Sequence, residues 1–177
     1  MTPSRRWFDR KFELGLEPDA ASELLERLRR TPDRLAEEVA GLPPEVLTRK
    51  RDGKWSIQEN AGHLLDLEPL WDQRLDDYDV RASQLHPADL ENRKTHEAGH
   101  NDRRMSDILA EFRAIRLRIV DRLARMSDAE LARTALHPRL QQPMSVVDLC
   151  FFVAEHDDHH LRTIETLNQD LPFQLFS

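Results

Sequence analysis

The sequence predicts an all-α protein, a four-helix bundle with short extra helices, and three observations carry that prediction. Only five glycines occur among 177 residues and β-branched residues rarely run together, which leaves little room for strands. Helix-start signals recur along the chain. Long segments place apolar residues at steps of three and four, the spacing of one face of a helix. A chain of this length buries a substantial core without splitting, so 1–177 is read as one domain.

Residues 1–16 read as an N-terminal extension packing on the bundle. They carry Arg5, Arg6, Arg10 and Lys11 but no apolar stretch long enough for a signal peptide. The first helix is expected over 19–41, with a kink where Thr31 caps and Pro32 supplies a first-turn proline. The second, 56–83, opens on the capping box Ser56-Ile57-Gln58-Glu59 and shows Ile57, Ala61, Leu64, Trp71, Leu75 and Tyr78 on one face. Asn60 stands where the apolar staple partner of Trp55 belongs. Residues 82–104 are polar and charged, and exceed the roughly two to eight residues usual between bundle helices. They read as a long crossover or a partial lid. The third helix, 105–125, aligns Ile108, Phe112, Ile115, Ile119 and Leu123. Ser127 and Glu130 make another capping box, stapled by Met126 and Leu131, and Ser145 with Asp148 repeats the device between Met144 and Leu149. That last box opens the fourth helix, 145–168.

Composition excludes several functions. Lys and Arg number 26 against 33 Asp and Glu, a formal net charge of −7, and the signs are interspersed. Nucleic-acid binding needs a clustered basic face, and none is visible. Cys150 is the only cysteine, which rules out an internal disulfide framework and multi-cysteine metal sites and favours a reducing compartment. With no membrane-spanning apolar run, the expected location is the cytoplasm.

The chemistry lies in histidines. The apolar stripe of the last helix runs Val146, Leu149, Val153, His156, His160, Ile164, Leu167, so two imidazoles stand where leucines belong. Four apart, they offer two nitrogens from one face. His63, on the second helix, would add a third neutral ligand, as three-histidine sites require. Such a centre leaves positions open for water or substrate and suits hydrolysis or group transfer. The competing reading keeps His156 and His160 as core residues satisfied by hydrogen bonds, with His63 an unrelated surface residue. Each buried ring then needs its own partner, because an unsatisfied buried polar group costs about 1–3 kcal/mol.

Other residues bear on the site. His159 sits at the edge of the stripe, facing solvent or supporting a ligand. Glu155, Asp157, Glu59 and Asp66 are placed to orient ligand rings or else to sit in ordinary salt bridges, and Asp66, beside His63, is the candidate proton acceptor. His96 and His100 are four apart in a wet, charged stretch, with His100-Asn101 at the mouth of the site if the crossover folds over it. His137-Pro138-Arg139 reads as a turn. Cys150, Trp55, Trp71, Phe151 and Phe152 read as packing.

Trp55-Ser56, His63-Leu64, Asp66 and the run Ala154-Glu155-His156-Asp157-Asp158-His159-His160-Leu161 resemble the DinB/YfiT-like superfamily, over about residues 8–167. The resemblance implies an up-down-down-up bundle, often a homodimer, with three histidines holding nickel or zinc at positions that correspond to His63, His156 and His160. It also implies a metal-dependent hydrolase or a transferase using a low-molecular-weight thiol such as bacillithiol or mycothiol on a small-molecule substrate. The residues alone leave open which divalent ion binds. A peptidase of the His-Glu-x-x-His type is disfavoured because Asp157 replaces the glutamate. A metal-binding bundle without turnover, related to stress, is the alternative from a different class.

Overall fold

The computed structural model describes residues 7–169; Arg5 and Arg6 lie outside the described residues. Four long helices dominate: α1 (Ala21–Val39), α3 (Ile57–Asp79), α5 (Met105–Leu123) and α7 (Val146–Gln169). Three short ones, α2 (Pro44–Leu47), α4 (Arg93–Glu97) and α6 (Asp128–Leu131), sit in the connections. Each of α1 and α3 packs against both α5 and α7, so α1 lies diagonally across from α3 and α5 from α7.

Cross-helix bonds fix the directions. Arg122 near the end of α5 bridges to Asp72, Asp76 and Asp79 near the end of α3, so these two run parallel. Thr31 of α1 meets Asp157 of α7 while Asn168 meets the Glu38 carbonyl, so these also run parallel. Asn60 opposite His160, with Tyr78 opposite Met144 and Ser145, sets α3 against α7. The order is therefore up-down-down-up, and the long stretch between α3 and α5 is the crossover that two successive parallel helices demand.

All three capping boxes form. Ser56 and Glu59 satisfy each other's backbone N–H groups, as do Ser127 and Glu130. Ser145 and Asp148 do likewise at 2.9 and 3.0 Å. The other oxygen of Asp148 accepts the backbone N–H groups of Gly15 and Leu16, which ties the N-terminal segment to the start of α7. Trp7, Phe12, Leu14 and Leu16 join the core there.

Two elements need explanation. Helix α1 is one unbroken element through Pro32. Proline lacks the N–H that would bond the Leu28 carbonyl, and Arg116 of α5 donates to that carbonyl instead, at 3.4 Å. The chain also contains a strand pair, β1 (Thr134–His137) and β2 (Gln142–Ser145), antiparallel with Thr134 opposite Ser145 and His137 opposite Gln142. Leu85 and Ser83 extend it by bonding Leu136 on its open edge, and the Tyr78 hydroxyl donates to the Met144 and Ser145 carbonyls. The bundle thus supplies the neighbours that a lone hairpin needs to persist.

The core falls into two apolar clusters, one around Leu28, Trp71, Ile119 and Val153, the other around Leu35, Leu64, Phe112 and Ile164. Between them lies a polar layer with one residue from each long helix: Thr31, Glu68, Arg116 and Asp157, all at most 1% exposed. Arg116 donates through Nε and Nη2 to Glu68 and through Nη1 and Nη2 to Asp157, the shortest contacts being 2.6 and 2.5 Å. Thr31 Oγ1 adds a donor to Asp157 at 2.9 Å. Burial pushes the Glu68 carboxyl up to about 7 against the pull of Arg116. Cys150 is buried in the first cluster, its thiol pushed up to about 12 by the same effect.

Candidate metal centre

Helix α3 presents His63 and α7 presents His156 and His160 to one point. The three residues are 4–7% exposed, and one ligand nitrogen from each lies within 4.8 Å of the other two. Ring centroids are 5.3 Å apart for His63 and His156, 4.7 Å for His63 and His160, and 4.6 Å for His156 and His160. The turn-by-turn spacing of α7 aligns its pair, and the antiparallel crossing of α3 brings His63 to the same level.

Hydrogen bonds fix two of the tautomers. Asn60 Nδ2 donates to the Ser56 carbonyl at 2.8 Å, which turns its Oδ1 toward His160; Nδ1 of His160 therefore donates, at 2.9 Å, and Nε2 keeps its lone pair. Thr95 Oγ1 donates to Asp66 Oδ2 at 2.9 Å, so it accepts from His63 Nδ1 at 3.0 Å and His63 Nε2 is likewise free. His156 differs: its Nδ1 is buried with no hydrogen-bond partner among the described residues. Burial lowers the affinity of all three rings for protons, His63 to about 4 against the opposing pull of Asp66, and the other two, with neighbouring imidazoles adding to the effect, well below the ordinary value. Neutral rings near pH 7, two free lone pairs and one orphaned ring nitrogen are what a shared cation satisfies. The residues fit a three-histidine metal site.

The crossover closes the outer side of this cluster. Asp66 does not touch the rings; it accepts from Thr95 and, at 2.8 Å, from His100 Nε2. Burial alone would raise its pKa, but the bonds from His100 and Thr95 hold it below the ordinary carboxylate value. His100 is 2% exposed, contrary to the wet segment expected for it, because it packs onto Gly62, where an added Cβ would fall 2.3 Å from its Cγ. Asn101 accepts from the Ser56 hydroxyl at the start of α3, and neither His100 nor Asn101 lines the cavity around the histidines. His96 remains exposed and stacks edge-on against Trp55 at 5.5 Å. His159 packs on His160 and Trp7 and lies outside the trio. The carboxylates beside the ligands serve other partners: Glu155 pairs with Arg10 and Arg27, Asp157 with Arg116, and Glu59 with Lys50 and its cap. Asn60 and Thr95 were not singled out by sequence. For Asn60 the signal was its polar side chain at the staple position.

The cluster lies in a cavity of about 820 Å³ walled by Trp7, Trp55, Trp71, Phe152 and the crossover near Pro87 to Leu90. A cavity of this size holds a small molecule.

The DinB superfamily model matches residues 27–164. The chain belongs to the DinB superfamily. Among solved structures of this bundle type, YfiT from Bacillus subtilis, described as a probable metal-dependent hydrolase with an unusual four-helix bundle topology, aligns with a TM-score of 0.79. The alignment covers 90% of this chain and 92% of that one at 20% identity, so what the two share is the fold. No curated protein matches the sequence. As a DinB superfamily chain it carries its three convergent histidines on the second and fourth long helices, and no described helix is long and apolar enough to cross a membrane.

Proposed function

We propose that the protein is a cytoplasmic metal-dependent enzyme, a hydrolase or a low-molecular-weight-thiol S-transferase, that acts on a small electrophile at His63, His156 and His160. One observation carries the reading: the three imidazoles converge, neutral, in a cavity large enough for a substrate, and one of them is left with an unpartnered nitrogen. A divalent ion held there, zinc or nickel as the family resemblance implies, would supply Lewis acidity that makes water or a thiol nucleophilic near neutral pH.

The chain's own residues prepare the site. Asn60 and Thr95 lock two ring orientations, and Asp66 holds the Thr95 hydroxyl in its accepting role toward His63. In this reading Asp66 is a positioning residue rather than a proton acceptor for substrate. The aromatic walls beside the rings lower the local polarity, which strengthens electrostatic contacts there. The family resemblance adds the expectation of a homodimer, which sedimentation of the purified protein reads directly.

Elemental analysis of protein made without a histidine tag tests the metal. About one zinc or nickel per chain is expected in the wild type and close to none in His63→Ala and His160→Ala. Unchanged content in both variants overturns the assignment. Bound metal without turnover on ester and thiol-conjugate panels favours a non-catalytic metal-binding bundle instead.

A further inference from the structure

The cavity has a second polar end that the histidine cluster does not use. Arg74 of α3, His137 at the end of β1 and Arg139 in the hairpin loop all line it. The backbone N–H groups of Arg139 and Leu140 both point at His137 Nδ1, at 3.3 and 3.1 Å, so that nitrogen must be the acceptor of the ring. A neutral imidazole has one acceptor and one donor. Nε2 of His137 therefore carries the hydrogen, yet it faces Nη1 of Arg74 at 3.3 Å, which can only donate. Two donors meet there with no acceptor between them.

A third donor is also unanswered. Nη2 of Arg139 is buried without a hydrogen-bond partner. Neither arginine has a carboxylate partner among the described residues, although Arg74 is only 1% exposed and its Nε is anchored on the His86 carbonyl at 3.0 Å. The single carboxylate lining the cavity, Asp89, is turned to the backbone N–H groups of Glu91 and Arg93. Both guanidinium groups rest on the aromatic wall, Arg74 over Trp71 at 5.3 Å and Arg139 over Phe152 at 5.9 Å. The Trp71 ring is in turn 5.9 Å from that of His156. One aromatic side chain separates the cationic end from the imidazoles.

We propose that Arg74, His137 and Arg139 form an anion subsite, and that the molecule bound in this cavity has an apolar body ending in a carboxylate. The carboxylate supplies the acceptors that the three donors lack, the aromatic wall takes the body, and the far end reaches the histidine cluster. A planar guanidinium pair suits a carboxylate in particular, because each fork can present parallel N–H groups to its oxygens. The inference deepens the proposed function by naming a substrate class, but the binding step it describes stands without a metal.

Calorimetric titration of zinc-free, chelator-treated protein with 4-phenylbutyrate and with 4-phenylbutan-1-ol tests it. These probes share a body and differ in charge. The wild type should bind the carboxylate about ten- to a hundredfold tighter, as expected for charge-assisted hydrogen bonds. Arg139→Gln, at a half-buried loop position whose fold is checked by its melting curve, should bring the two within about threefold, with Arg139→Lys between. Equal or undetectable binding of both probes to the wild type overturns the proposal, as does a preference that survives Arg139→Gln. A preference seen only in zinc-loaded protein also overturns it, since the carboxylate then sits on the metal, and that result leaves the three-histidine centre intact. Failure of the protein to take up zinc would remove that centre without touching this measurement.

Discussion

Arg116 and His156 are both buried side chains in the middle of the bundle, and they differ in how completely their polar atoms are answered. Arg116 spends its donors on Glu68, Asp157 and the carbonyl left free by Pro32, drawing on three helices besides its own. His156, whose chain neighbour is Asp157, has an Nδ1 with no partner. The first arrangement is complete and holds the four helices in register. The second is incomplete, and a buried polar group left incomplete calls for an explanation, which a bound ion beside the rings would supply. The same criterion separates the closed box of Asp148 from the three unanswered donors around Arg139.

The comparison breaks or sharpens on removal of a partner. The largest effect is expected at the polar layer, where Arg116→Met leaves two buried carboxylates uncompensated and should cost about 3–5 kcal/mol in urea unfolding. A loss under about 1 kcal/mol, the range of exposed pairs, would mean that the layer does not hold the helices together. At the histidine end, Gly62→Ala forces a methyl into the buried His100 ring and should cost about 1–3 kcal/mol, measured the same way. It should also lower zinc affinity by unseating the His100, Asp66 and Thr95 chain, and unchanged stability and affinity together would show that this chain does not support His63.

Smallest is the share of the pH dependence that Glu68 offsets, since its sign opposes that of the buried histidines. In metal-free protein His63 titrates at about 4 in the fold against about 6.5 when unfolded. Unfolding therefore takes up a proton in that window, and stability falls as the pH drops through it. Glu68 has the other sign. At about 7 in the fold against 4.5 unfolded, it keeps a proton that the unfolded chain releases, so its contribution falls as the pH rises. Between pH 4.5 and 6.5 Glu68 offsets only part of this loss, because His156, His160 and His137 are lowered as well, and the wild type should still lose stability toward acid. Glu68→Gln should expose a steeper loss toward acid in urea midpoints, and a profile parallel to that of the wild type would assign the pH dependence elsewhere.

Much of this was readable before any coordinates. The four long helices announced themselves through a 3.6-residue period and, for α3 and α7, through capping boxes, signals local enough for one stretch of sequence to carry. The ligand trio was visible because His156 and His160 interrupt an apolar stripe in register. The polar layer left a quieter trace: the stripe Ala61, Leu64, Trp71, Leu75 skips the position of Glu68, and a gap in an apolar face is the mark of a buried partner supplied by another helix. The hairpin left almost none. Thr-Ala-Leu-His and Gln-Pro-Met-Ser are short, do not alternate, and include Pro143, so their pairing comes from the neighbours that cover them rather than from strand propensity. Thr95 and His100 were hidden for the same reason, since only the fold of the crossover takes them out of the charged stretch and sets them against α3.

The burial of Cys150 limits what kinds of sulfur chemistry are open to this molecule. A thiol sealed in the core and held protonated far above neutral pH neither alkylates nor forms mixed disulfides while the native state persists. The polypeptide therefore contributes no nucleophilic sulfur of its own, and any thioether or thioester made in its cavity must take its sulfur atom from a diffusible reactant. Iodoacetamide then becomes a reporter of unfolding rather than an inhibitor.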